Sequence, residues 1–461
     1  MAYSLIDDGR DAIPVTVLTR EQLPLWLGAA PERQRHWVQA IDFTAEPGKF
    51  ALVPGTDGGL AGVLVGVGAG PEDGGGIWAL AGLPEALPEA SYRLETAPDG
   101  ADPTRLALGW ALGTYAFTRY RAKPASGARL VWPEGADRGQ ALRLAAAVFL
   151  ARDLVNTPAG DLGPAELAAA ALRVAEAAGA GHRTIVGDEL LAENYPTIHA
   201  VGRASARPPR LVDIVWGDPA APKVTLIGKG VCFDSGGLDL KPAASMRLMK
   251  KDMAGAAIML ALAQAIMDAG LGLRLRLLLP LVENALSGNA MRPLDIVRTR
   301  NGLTVEIGNT DAEGRLILCD AIAEAASESP VALIDIATLT GAARVALGPD
   351  LAALFSNDEA LAAGLLEAAA AEDDPMWRMP LWRPYRKLLD SKVADLNNVS
   401  ESPHAGAVTA ALYLQEFVPP DIAWAHLDAF AWNLQARPGR PEGPEATALR
   451  ALYAYLAQRF R

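Results

Sequence analysis

Cysteine is scarce in this chain, and so are the features that mark secreted or membrane-spanning proteins. Only two of the 461 residues are cysteine, Cys232 and Cys319; both lie in apolar stretches, which excludes a disulfide framework and predicts buried free thiols. The amino-terminal segment has neither a basic nor an apolar region, and no apolar run of about 18 residues lacks charges or helix breakers. We therefore expect a cytoplasmic protein without a membrane partner.

Clustered positive charge and zinc-type histidine spacing are also missing. The formal charge is −12 without a long basic run, so nucleic acid is not expected as a partner, because phosphate binding needs clustered Lys and Arg. No histidine stands in an HExxH or other tight ligand spacing, so each is interpreted as a surface or core residue. These histidines are His36, His182, His199, His404 and His426. The segment "VGVGAGPEDGGG" at 65–76 fails the GxGxxG pattern and is interpreted as a strand with its turn.

What the sequence does contain is enough apolar material for two cores. It is 51% hydrophobic and 21% charged, and 461 residues exceed the roughly 100–200 that one domain usually takes. Helical spacing in "ALGWALGTYAFTRYRA" predicts a helix over 107–122 that closes a first unit. Turn-rich sequence follows it. We therefore predict an N-terminal α/β domain over 1–145 and a second domain over 146–461.

From about residue 210 onward, β-like runs alternate with helical ones. Helices are predicted over 254–269 and 315–327, and the predicted strands are "RLVDIVWG", "KVTLIGKG", "LRLRLLLPLVEN" and "VALIDIATLTG". Such alternation is typical of a mostly parallel sheet with helices on both faces. The predicted fold class is therefore α/β, with a C-terminal α/β/α sandwich. Ligand sites in such sheets lie beyond the carboxyl ends of the strands.

Three of the predicted strand-to-helix junctions carry acidic residues. "KGVCFDSGGLDLKP" contains Asp234, "MKKDMAGAA" contains Asp252, and "NTDAEGRL" contains Asp311 and Glu313. Because these junctions are expected at one sheet edge, the four carboxylates should lie together. Like charges that close raise one another's pKa, and the remedies are protonation, salt bridges or divalent cations. Capping of a helix is a further structural interpretation for Asp252.

Divalent cations are the interpretation that we favour for this cluster. Salt bridges from nearby lysines and Arg315 are the structural alternative, but an ordinary core would carry apolar side chains at these junctions. Oxygen-rich sites suit Mg²⁺, Mn²⁺, Ca²⁺ or Zn²⁺, and shared carboxylates can bridge two ions about 3.5–4 Å apart. The cluster therefore predicts a dinuclear metal centre. A Mg²⁺-dependent phosphoryl-transfer enzyme and a non-catalytic, metal-stabilised binding module are the alternatives at this point.

Four motifs resemble, in order and spacing, the signatures of the leucine (cytosol) aminopeptidase family. They are "GKGVCFDSGGLDLKP", "MKKDMAGAA", "NTDAEGRL" and "DIATLTGA", and the resemblance covers about residues 150–450. It implies a dinuclear metallo-aminopeptidase, a hydrolase that removes the N-terminal amino acid from peptides with a free N-terminus. It also implies a macro-domain-like fold for the N-terminal domain and a homohexamer.

The same resemblance implies a set of metal ligands. Asp234 and Glu313 would bridge two divalent ions, Mn or Zn. Asp311 would complete one of the two sites, while Lys229 and Asp252 would complete the other. A lysine ligand must be deprotonated, so burial and the adjacent cations would have to lower its pKa strongly.

Catalytic and substrate-binding residues are implied in the same way. Lys241 would donate to the developing oxyanion, and Arg315 would hold a bicarbonate that shuttles the proton of the attacking water. Met249 would line the pocket for the first side chain, for which plain core packing is the alternative. The positions implied near the substrate backbone are Asn309, Thr338, Leu339 and Gly341. Asp239 and Lys250 have no implied role and are interpreted as loop or surface charges.

Overall fold

Two compact units make up the chain in a computed structural model that describes residues 2–67, 76–123 and 126–460. The first unit comprises Met1–Phe149 and Gln435–Gly443, and the second comprises Leu150–Leu434 and Pro444–Arg461. A single cut at 145/146 does not describe the return of the chain to the first unit, and that boundary stays a prediction. Most of the turn predicted within 65–76 lies outside the described residues.

The first unit is built on a six-stranded sheet. Its strands are β1 (Leu5–Ile6), β2 (Ile13–Leu18), β3 (Phe50–Pro54), β4 (Leu60–Gly66), β5 (Ser91–Thr96) and β6 (Arg129–Val131). Its helices are α1 (Leu23–Ala29), α2 (Glu32–Ala40), α3 (Leu83–Ala86) and α4 (Pro103–Gly113). The strand order is β1-β6-β5-β2-β4-β3, and the described pairs are parallel except for β3–β4. The α/β class is confirmed, whereas the likeness to a macro domain stays a prediction.

The helix predicted over 107–122 is wrong in its bounds, because α4 ends at Gly113. The backbone N–H and the hydroxyl of Thr114 both donate to the Ala111 carbonyl, at 3.0 and 2.7 Å. The N–H of Tyr115 therefore bonds the Leu112 carbonyl at 3.3 Å and tightens the last turn instead of continuing the helix. The apolar residues beyond this point do not form a buried helical face, since Tyr115 is buried but Tyr120 is 55% exposed.

The second unit contains most of the helices and strands. Helix α5 (Arg138–Asn156) leads into it from the first unit. The remaining helices are α6 (Pro164–Ala177), α7 (Glu189–Ala192), α8 (Pro196–Gly202), α9 (Ala243–Met246), α10 (Ala254–Ala269), α11 (Glu313–Ala326), α12 (Gly341–Leu347), α13 (Glu359–Ala371), α14 (Gly406–Gln415) and α15 (Leu449–Arg459). The strands are β7 (Gly181–Val186), β8 (Arg210–Trp216), β9 (Lys223–Gly228), β10 (Gly230–Asp234), β11 (Arg274–Asn284), β12 (Ile296–Arg298), β13 (Thr304–Glu306), β14 (Ala332–Ala337), β15 (Ala352–Ser356), β16 (Met376–Arg378), β17 (Leu396–Asn397), β18 (Trp424–Asp428), β19 (Trp432–Asn433) and β20 (Gly443–Pro444).

A nine-stranded sheet forms the centre of this unit. Its order is β16-β15-β18-β14-β9-β11-β8-β7, with β10 paired to β11. The central pairs are parallel, while β7–β8, β8–β11 and β15–β18 are antiparallel. The predicted mostly parallel sheet is therefore confirmed. The helix predicted over 254–269 coincides with α10, and the one predicted over 315–327 begins two residues earlier, as α11.

Helix α10 runs through the core of the second unit. The segment Met249–Ala269 is long and apolar enough to span a membrane, but most of it is buried inside the unit, as core helices are. Two glycines bring its start against β9. A Cβ on Gly228 would lie 2.6 Å from Ala256 Cα, and one on Gly255 would lie 2.8 Å from the backbone nitrogen of Lys229. This close approach fixes the carboxyl end of β9, where Lys229 follows.

Candidate metal centre

Five predicted ligands meet beyond the carboxyl ends of the parallel strands. Lys229 follows β9, and Asp234 is the last residue of β10. Asp252 lies in a short 3₁₀ helix directly before α10, Asp311 lies in the loop before α11, and Glu313 is the first residue of α11. The structure thus brings these residues together at one edge of the sheet, as the sequence-based argument expected. Their role as metal ligands stays a prediction.

Three carboxylates form the centre of this cluster. Oxygen atoms of Asp234, Asp252 and Glu313 all lie within 4.8 Å of one another. The three residues are only 1% to 3% exposed. Carboxylates this close and this buried repel one another strongly unless positive charge lies among them.

Lys229 supplies part of that positive charge. Its Nζ is 2.8 Å from Asp252 Oδ2 and 2.9 Å from Glu313 Oε1, and it donates to the Thr338 carbonyl at 3.1 Å. The two carboxylate contacts are ion pairs without hydrogen-bond alignment. Burial alone lowers the pKa of Lys229, but the carboxylates of Asp252 and Glu313 outweigh burial and raise the pKa overall. Deprotonation of this lysine for metal binding therefore requires the positive charge of incoming cations.

Lys241 bridges the other two carboxylates of the cluster. Its Nζ is 2.7 Å from Asp234 Oδ2 and also pairs with Asp311 Oδ1. Burial alone lowers the pKa of Lys241, whereas Asp234 and Asp311 raise it overall. The side chain is therefore a charged donor at neutral pH, lying between the loop after β10 and the loop before α11.

The pKa values of two carboxyl groups indicate that positive charge is in short supply. Burial, followed by repulsion from Asp234, raises the pKa of Asp311 to about 6. The same two causes raise the pKa of Glu313 to about 8, although Glu313 lies at a helix N-terminus, where a negative charge is favoured. Ion pairing with the two lysines does not compensate for the burial of these groups.

The residues present fit a divalent metal. Each of the two lysines is shared by two carboxylates, so ion pairs balance only part of the negative charge. Buried oxygens of Asp252, Asp311 and Glu313 have no aligned hydrogen bond within the described ranges. Carboxylate oxygens are the preferred ligands of Mg²⁺, Mn²⁺ and Ca²⁺, and Zn²⁺ accepts them too.

Arg315 lies two residues after Glu313 and borders the same cavity. Its Nη1 donates to the Asn398 carbonyl at 2.7 Å, while its Nε has no hydrogen-bond partner among the residues that the structure describes. Burial lowers the pKa of Arg315, but a guanidinium stays charged at any ordinary pH. A guanidinium group with unused donors suits a planar anion such as bicarbonate. The role of Arg315 in holding bicarbonate stays a prediction.

The loop after β14 carries three of the predicted substrate-binding residues. Thr338 Oγ1 donates to Asp252 Oδ1 at 2.6 Å, which ties the loop to the carboxylate cluster. The backbone N–H of Leu339 donates to Asp428 Oδ1 at 2.9 Å, and Gly341 begins α12. All three predicted residues line the cavity above the carboxylates.

Asn309 and Met249 line the same cavity. Asn309 Oδ1 accepts a hydrogen bond from the Asp311 N–H at 2.7 Å and so shapes the loop that carries this carboxylate. Met249 is half-buried at the start of the 3₁₀ helix that carries Asp252. The cavity measures about 440 Å³, a volume that suits a short peptide. A larger cavity of about 660 Å³ beside His199 has no comparable acidic cluster among the described residues.

Two asparagines that hold the site were missed in the sequence. Asn284 Nδ2 donates to Asp234 Oδ1 at 2.8 Å, and Asn398 Oδ1 accepts from the Gly308 N–H at 2.8 Å and the Asn309 N–H at 3.2 Å. Asn284 ends a predicted central strand, and a polar residue at that position was the available signal. Asn398 has no comparable signal, because its partners are about ninety residues away.

Asp239 also has a positioning role that the sequence did not indicate. Its Oδ2 accepts from the Thr310 N–H at 2.7 Å, and Thr310 Oγ1 donates to the Gly236 carbonyl at 2.6 Å. These bonds join the loop after β10 to the loop before α11. Lys250, by contrast, points away from the carboxylates and donates to the Asn156 carbonyl at 2.7 Å.

The histidines and cysteines behave largely as the sequence suggests. His426 is buried with Nδ1 2.5 Å from Asp335 Oδ1, and His199 Nε2 lies 3.0 Å from Asp188 Oδ1. Neither belongs to the acidic cluster. Cys232 and Cys319 are buried and free.

Comparison with known proteins gives two matching family models. The one described as "Cytosol aminopeptidase family, catalytic domain" matches residues 149–453, and the one described as "M17 aminopeptidase, N-terminal domain" matches residues 13–133. The chain is 40% identical over 455 residues to a probable cytosol aminopeptidase of Leifsonia xyli, which covers 90% of this chain and 88% of that protein. It is 42% identical over 335 residues to peptidase B of Pectobacterium atrosepticum, covering 70% and 77%.

Solved structures agree with these matches. The crystal structure of the cytosol aminopeptidase from Coxiella burnetii has a TM-score of 0.94 and 47% identity, covering 99% of this chain and all of that one. The bottromycin maturation enzyme BotP, solved in complex with Mn, has a TM-score of 0.88 and 36% identity, covering 97% and 99%. The resemblance in the four motifs is therefore confirmed, and a metal-dependent peptidase takes precedence over the phosphoryl-transfer and binding-module alternatives. The chain belongs to the cytosol aminopeptidase family, whose members are metal-dependent aminopeptidases.

Proposed function

We propose that this aminopeptidase acts through two divalent ions, Mn or Zn, in each chain, on peptides with a free N-terminus. The observation that carries the proposal is the buried carboxylate cluster at one side of a peptide-sized cavity, where each lysine is shared by two carboxylates. The proposed ligands are Lys229, Asp234, Asp252, Asp311 and Glu313.

The ion pairs support the division of these ligands into two sites. Lys229 links Asp252 with Glu313, whereas Lys241 links Asp234 with Asp311. Oxygens of Asp234 and Glu313 also lie within 4.8 Å of each other. The family resemblance assigns the shared positions to Asp234 and Glu313, and this distance is compatible with that assignment.

When bound, the ions would activate a water molecule and polarise the carbonyl of the scissile bond. The residues of the chain supply the remaining steps. Lys241 Nζ would leave its carboxylate partners as cations neutralise them, and would donate to the carbonyl oxygen as negative charge develops there. Arg315 would hold a bicarbonate, which would supply a proton-transfer group between the attacking water and the leaving nitrogen. The water oxygen would bond to the carbonyl carbon, the C–N bond would break, and the leaving nitrogen would take up the water's proton, giving a free amino acid and a shortened peptide.

A blocked substrate tests the requirement for a free N-terminus. We expect the protein, incubated with Mn²⁺ or Zn²⁺, to release the chromophore from leucine p-nitroanilide and not from its N-acetylated analogue. Equal release from both would contradict the proposal. The comparison separates an aminopeptidase from an unspecific amidase, because only the blocking group differs.

Metal analysis of two variants tests the proposed ligands. Glu313→Ala should lose bound metal and activity, because a shared carboxylate is removed, whereas Lys241→Ala should keep nearly two ions per chain but turn over slowly. Glu359→Ala is the matched control, since Glu359 is the first residue of α13 as Glu313 is of α11 but pairs with Arg378 outside the cavity. Substantial metal loss in the Lys241 variant would contradict its assignment as the oxyanion donor.

The proposal also covers the oligomeric state of the protein and its location in the cell. A homohexamer is supported by the family resemblance alone, and a cytoplasmic location by relatives whose names include "cytosol". Light scattering of the purified protein should then give about six times the 48.4 kDa of one chain. A mass of one or two chains at working concentration would contradict the hexamer.

We also propose a macro-like domain over 1–145 and a catalytic domain over 146–461.

A further inference from the structure

Two positively charged side chains flank one aromatic ring in the wall of the catalytic cavity. Lys251 Nζ lies 4.6 Å from the centroid of the Phe430 ring, and the guanidinium carbon of Arg344 lies 5.2 Å from the same centroid. Lys251, Arg344 and Phe430 all line the 440 Å³ cavity. We call these three residues the cationic wall. An aromatic face attracts cations without forming an ion pair with them.

Neither cation has an acidic partner within the described part of the chain. The charged groups that act electrostatically on Lys251 are Asp252, Lys229, Asp428 and Arg344. Asp252 is already paired with Lys229, and Asp428 accepts hydrogen bonds from the loop after β14. In the same cavity Lys229 and Lys241 each pair with two carboxylates, which makes the unpaired state of Lys251 distinctive.

Lys251 is buried as well as unpaired, so its ammonium group needs a compensating partner. Lys251 is only 5% exposed, yet a buried ammonium is costly unless an anion or strong acceptor compensates it. The neighbouring Lys250 satisfies its ammonium with the Asn156 carbonyl and the face of Trp432. For Lys251 the open direction is the cavity, so the compensating group is expected to come with the substrate.

We propose that the cationic wall binds a carboxylate of the peptide substrate, held close to the bond that is cut. This inference rests on the proposed function and adds a substrate class to it. Because Lys251 and the proposed ligand Asp252 line the same cavity of about 440 Å³, a carboxylate bound by the wall is expected to lie close to the reacting carbonyl. Two groups of a peptide meet that condition: an acidic side chain on the first residue, and the C-terminal carboxylate of a dipeptide.

Matched substrates distinguish these two sources. The metal-loaded, full-length protein is assayed with glutamate and glutamine p-nitroanilides, which differ in one side-chain charge, and with Leu-Gly and Leu-Gly-amide, which differ in the C-terminal charge. We expect the charged member of one pair to have a kcat/KM at least about tenfold higher, the size expected for a charge-assisted contact. The pair that shows the preference identifies the source. If kcat/KM is nearly the same for the charged and the uncharged substrate in both pairs, the inference is overturned.

Substitutions in the cationic wall test its residues. Lys251→Met keeps the length of the side chain. In the pair that shows a preference, it should reduce the ratio of kcat/KM for the charged substrate to that for the uncharged one to near one. Lys251→Arg should retain most of the wild-type ratio. Arg344→Glu, at an exposed position, should lower the ratio below one because it opposes the carboxylate. The matched control is Lys250→Met, which removes the adjacent lysine outside the cavity and should leave the ratio as it is in the wild type. An unchanged ratio in both the Lys251→Met and Arg344→Glu variants would overturn the assignment.

The same assays separate this inference from the proposed function. If glutamine p-nitroanilide and Leu-Gly-amide are both cleaved but no charged substrate is preferred, the inference fails and the aminopeptidase stands. If no unblocked substrate is cleaved with either metal, the proposed function itself fails.

Discussion

The absence of a side chain at position 314 makes room for Lys229. A Cβ on Gly314 would lie 2.7 Å from Lys229 Nζ and would also overlap its Cε. Gly314 stands between Glu313 and Arg315, in the first turn of α11. At most helical positions glycine is destabilising by roughly 0.5–1 kcal/mol relative to alanine. Here the small residue lets a buried lysine pass over the start of the helix toward the carboxylates.

Gly314→Ala should therefore reduce activity while leaving the fold intact. We expect at least a tenfold loss of kcat/KM and a lower metal content, because Lys229 is displaced from Asp252 and Glu313. Metal analysis and a kinetic assay on the same sample measure both effects. Gly28→Ala in α1 is the control, since nothing lies within 4 Å of its added Cβ. Full metal content in the Gly314 variant would contradict this account.

Asp428 positions the loop that carries Thr338, Leu339 and Gly341. Its Oδ1 accepts from the N–H groups of Leu339 at 2.9 Å and Thr340 at 3.1 Å, and its Oδ2 accepts from Thr340 Oγ1 at 2.6 Å. Asp428→Ala leaves these donors without their acceptor, at a cost of about 1–3 kcal/mol for each buried group. The loop after β14, which lines the cavity, then loses its anchor.

We expect Asp428→Ala to raise KM about tenfold, with a smaller effect on kcat, because the loop carries three proposed substrate-binding residues and neither Lys241 nor Arg315, the residues proposed for catalysis. Asp428→Asn should recover most of the affinity, since an amide oxygen can still accept both backbone N–H groups. Steady-state kinetics on an uncharged substrate provide the measurement. Equal loss of affinity in both variants would show that the negative charge, and not the hydrogen bonds, holds the loop.

At this scale the sequence predicts charged residues better than the residues that hold them. Asp234, Asp252, Asp311 and Glu313 stand out because carboxylates are rare at buried junctions. Asn398 does not stand out, because an amide is common in loops and its hydrogen bonds reach residues about ninety positions away.

Among the elements, long periodic segments are predicted well and their ends less well. Helix α10 has the predicted bounds because its apolar run is continuous, whereas α11 begins two residues early, at Glu313. Charged residues in the first turn do not interrupt a helix, since a helix N-terminus favours acidic groups. At the end of α4 the hydroxyl of Thr114 donates to the Ala111 carbonyl, a contact that a periodicity argument does not weigh.

The parallel strands β14 and β18 share a buried ion pair. His426 Nδ1 on β18 lies 2.5 Å from Asp335 Oδ1 on β14, and Trp424 Nε1 donates to Asp335 Oδ2 at 2.8 Å. Burial alone lowers the pKa of His426, but Asp335, helped by Asp428, raises it above the ordinary 6.5, with Arg315 acting in the opposite direction. Protonated His426 therefore stabilises the folded state. This contribution is full below pH 6.5 and is lost as the pH rises through the folded-state pKa.

Thermal unfolding at different pH values tests this ion pair. We expect the melting temperature of the wild type to fall more steeply above pH 6.5 than that of His426→Gln, which has no titrating group at this position. A tenfold change in proton affinity between the folded and unfolded states corresponds to about 1.4 kcal/mol. His182→Gln, in β7, controls for the loss of an imidazole elsewhere in the sheet. Parallel pH profiles for the wild type and the His426 variant would contradict the assignment.

For the whole molecule, the topology of the sheet explains why distant motifs converge. Strands β9, β10 and β14 run parallel within one sheet, so the segments that follow them emerge at the same edge. Strand–helix alternation was therefore enough to predict the cluster without any contact information. The return of Gln435–Gly443 to the first unit has no such signal, because it depends on tertiary packing and not on local pattern.

Metal removal should destabilise the folded protein as well as inactivate it. The four carboxyl groups share two lysines, and burial with repulsion from Asp234 raises the pKa of Glu313 to about 8, so keeping these groups ionised is costly in the metal-free protein. Ions bound only by the folded state relieve this cost and add stability. At a free metal concentration of 100 times the Kd this stabilisation is about 2.7 kcal/mol.

We expect a chelator to lower the melting temperature by several degrees and Mn²⁺ or Zn²⁺ to restore it. Glu313→Ala should respond much less, whereas Glu359→Ala should respond as the wild type does. If chelation abolished activity but left the melting temperature of the wild type unchanged, the buried carboxylates would be tolerated without ions, and the electrostatic reason for a metal centre would be lost.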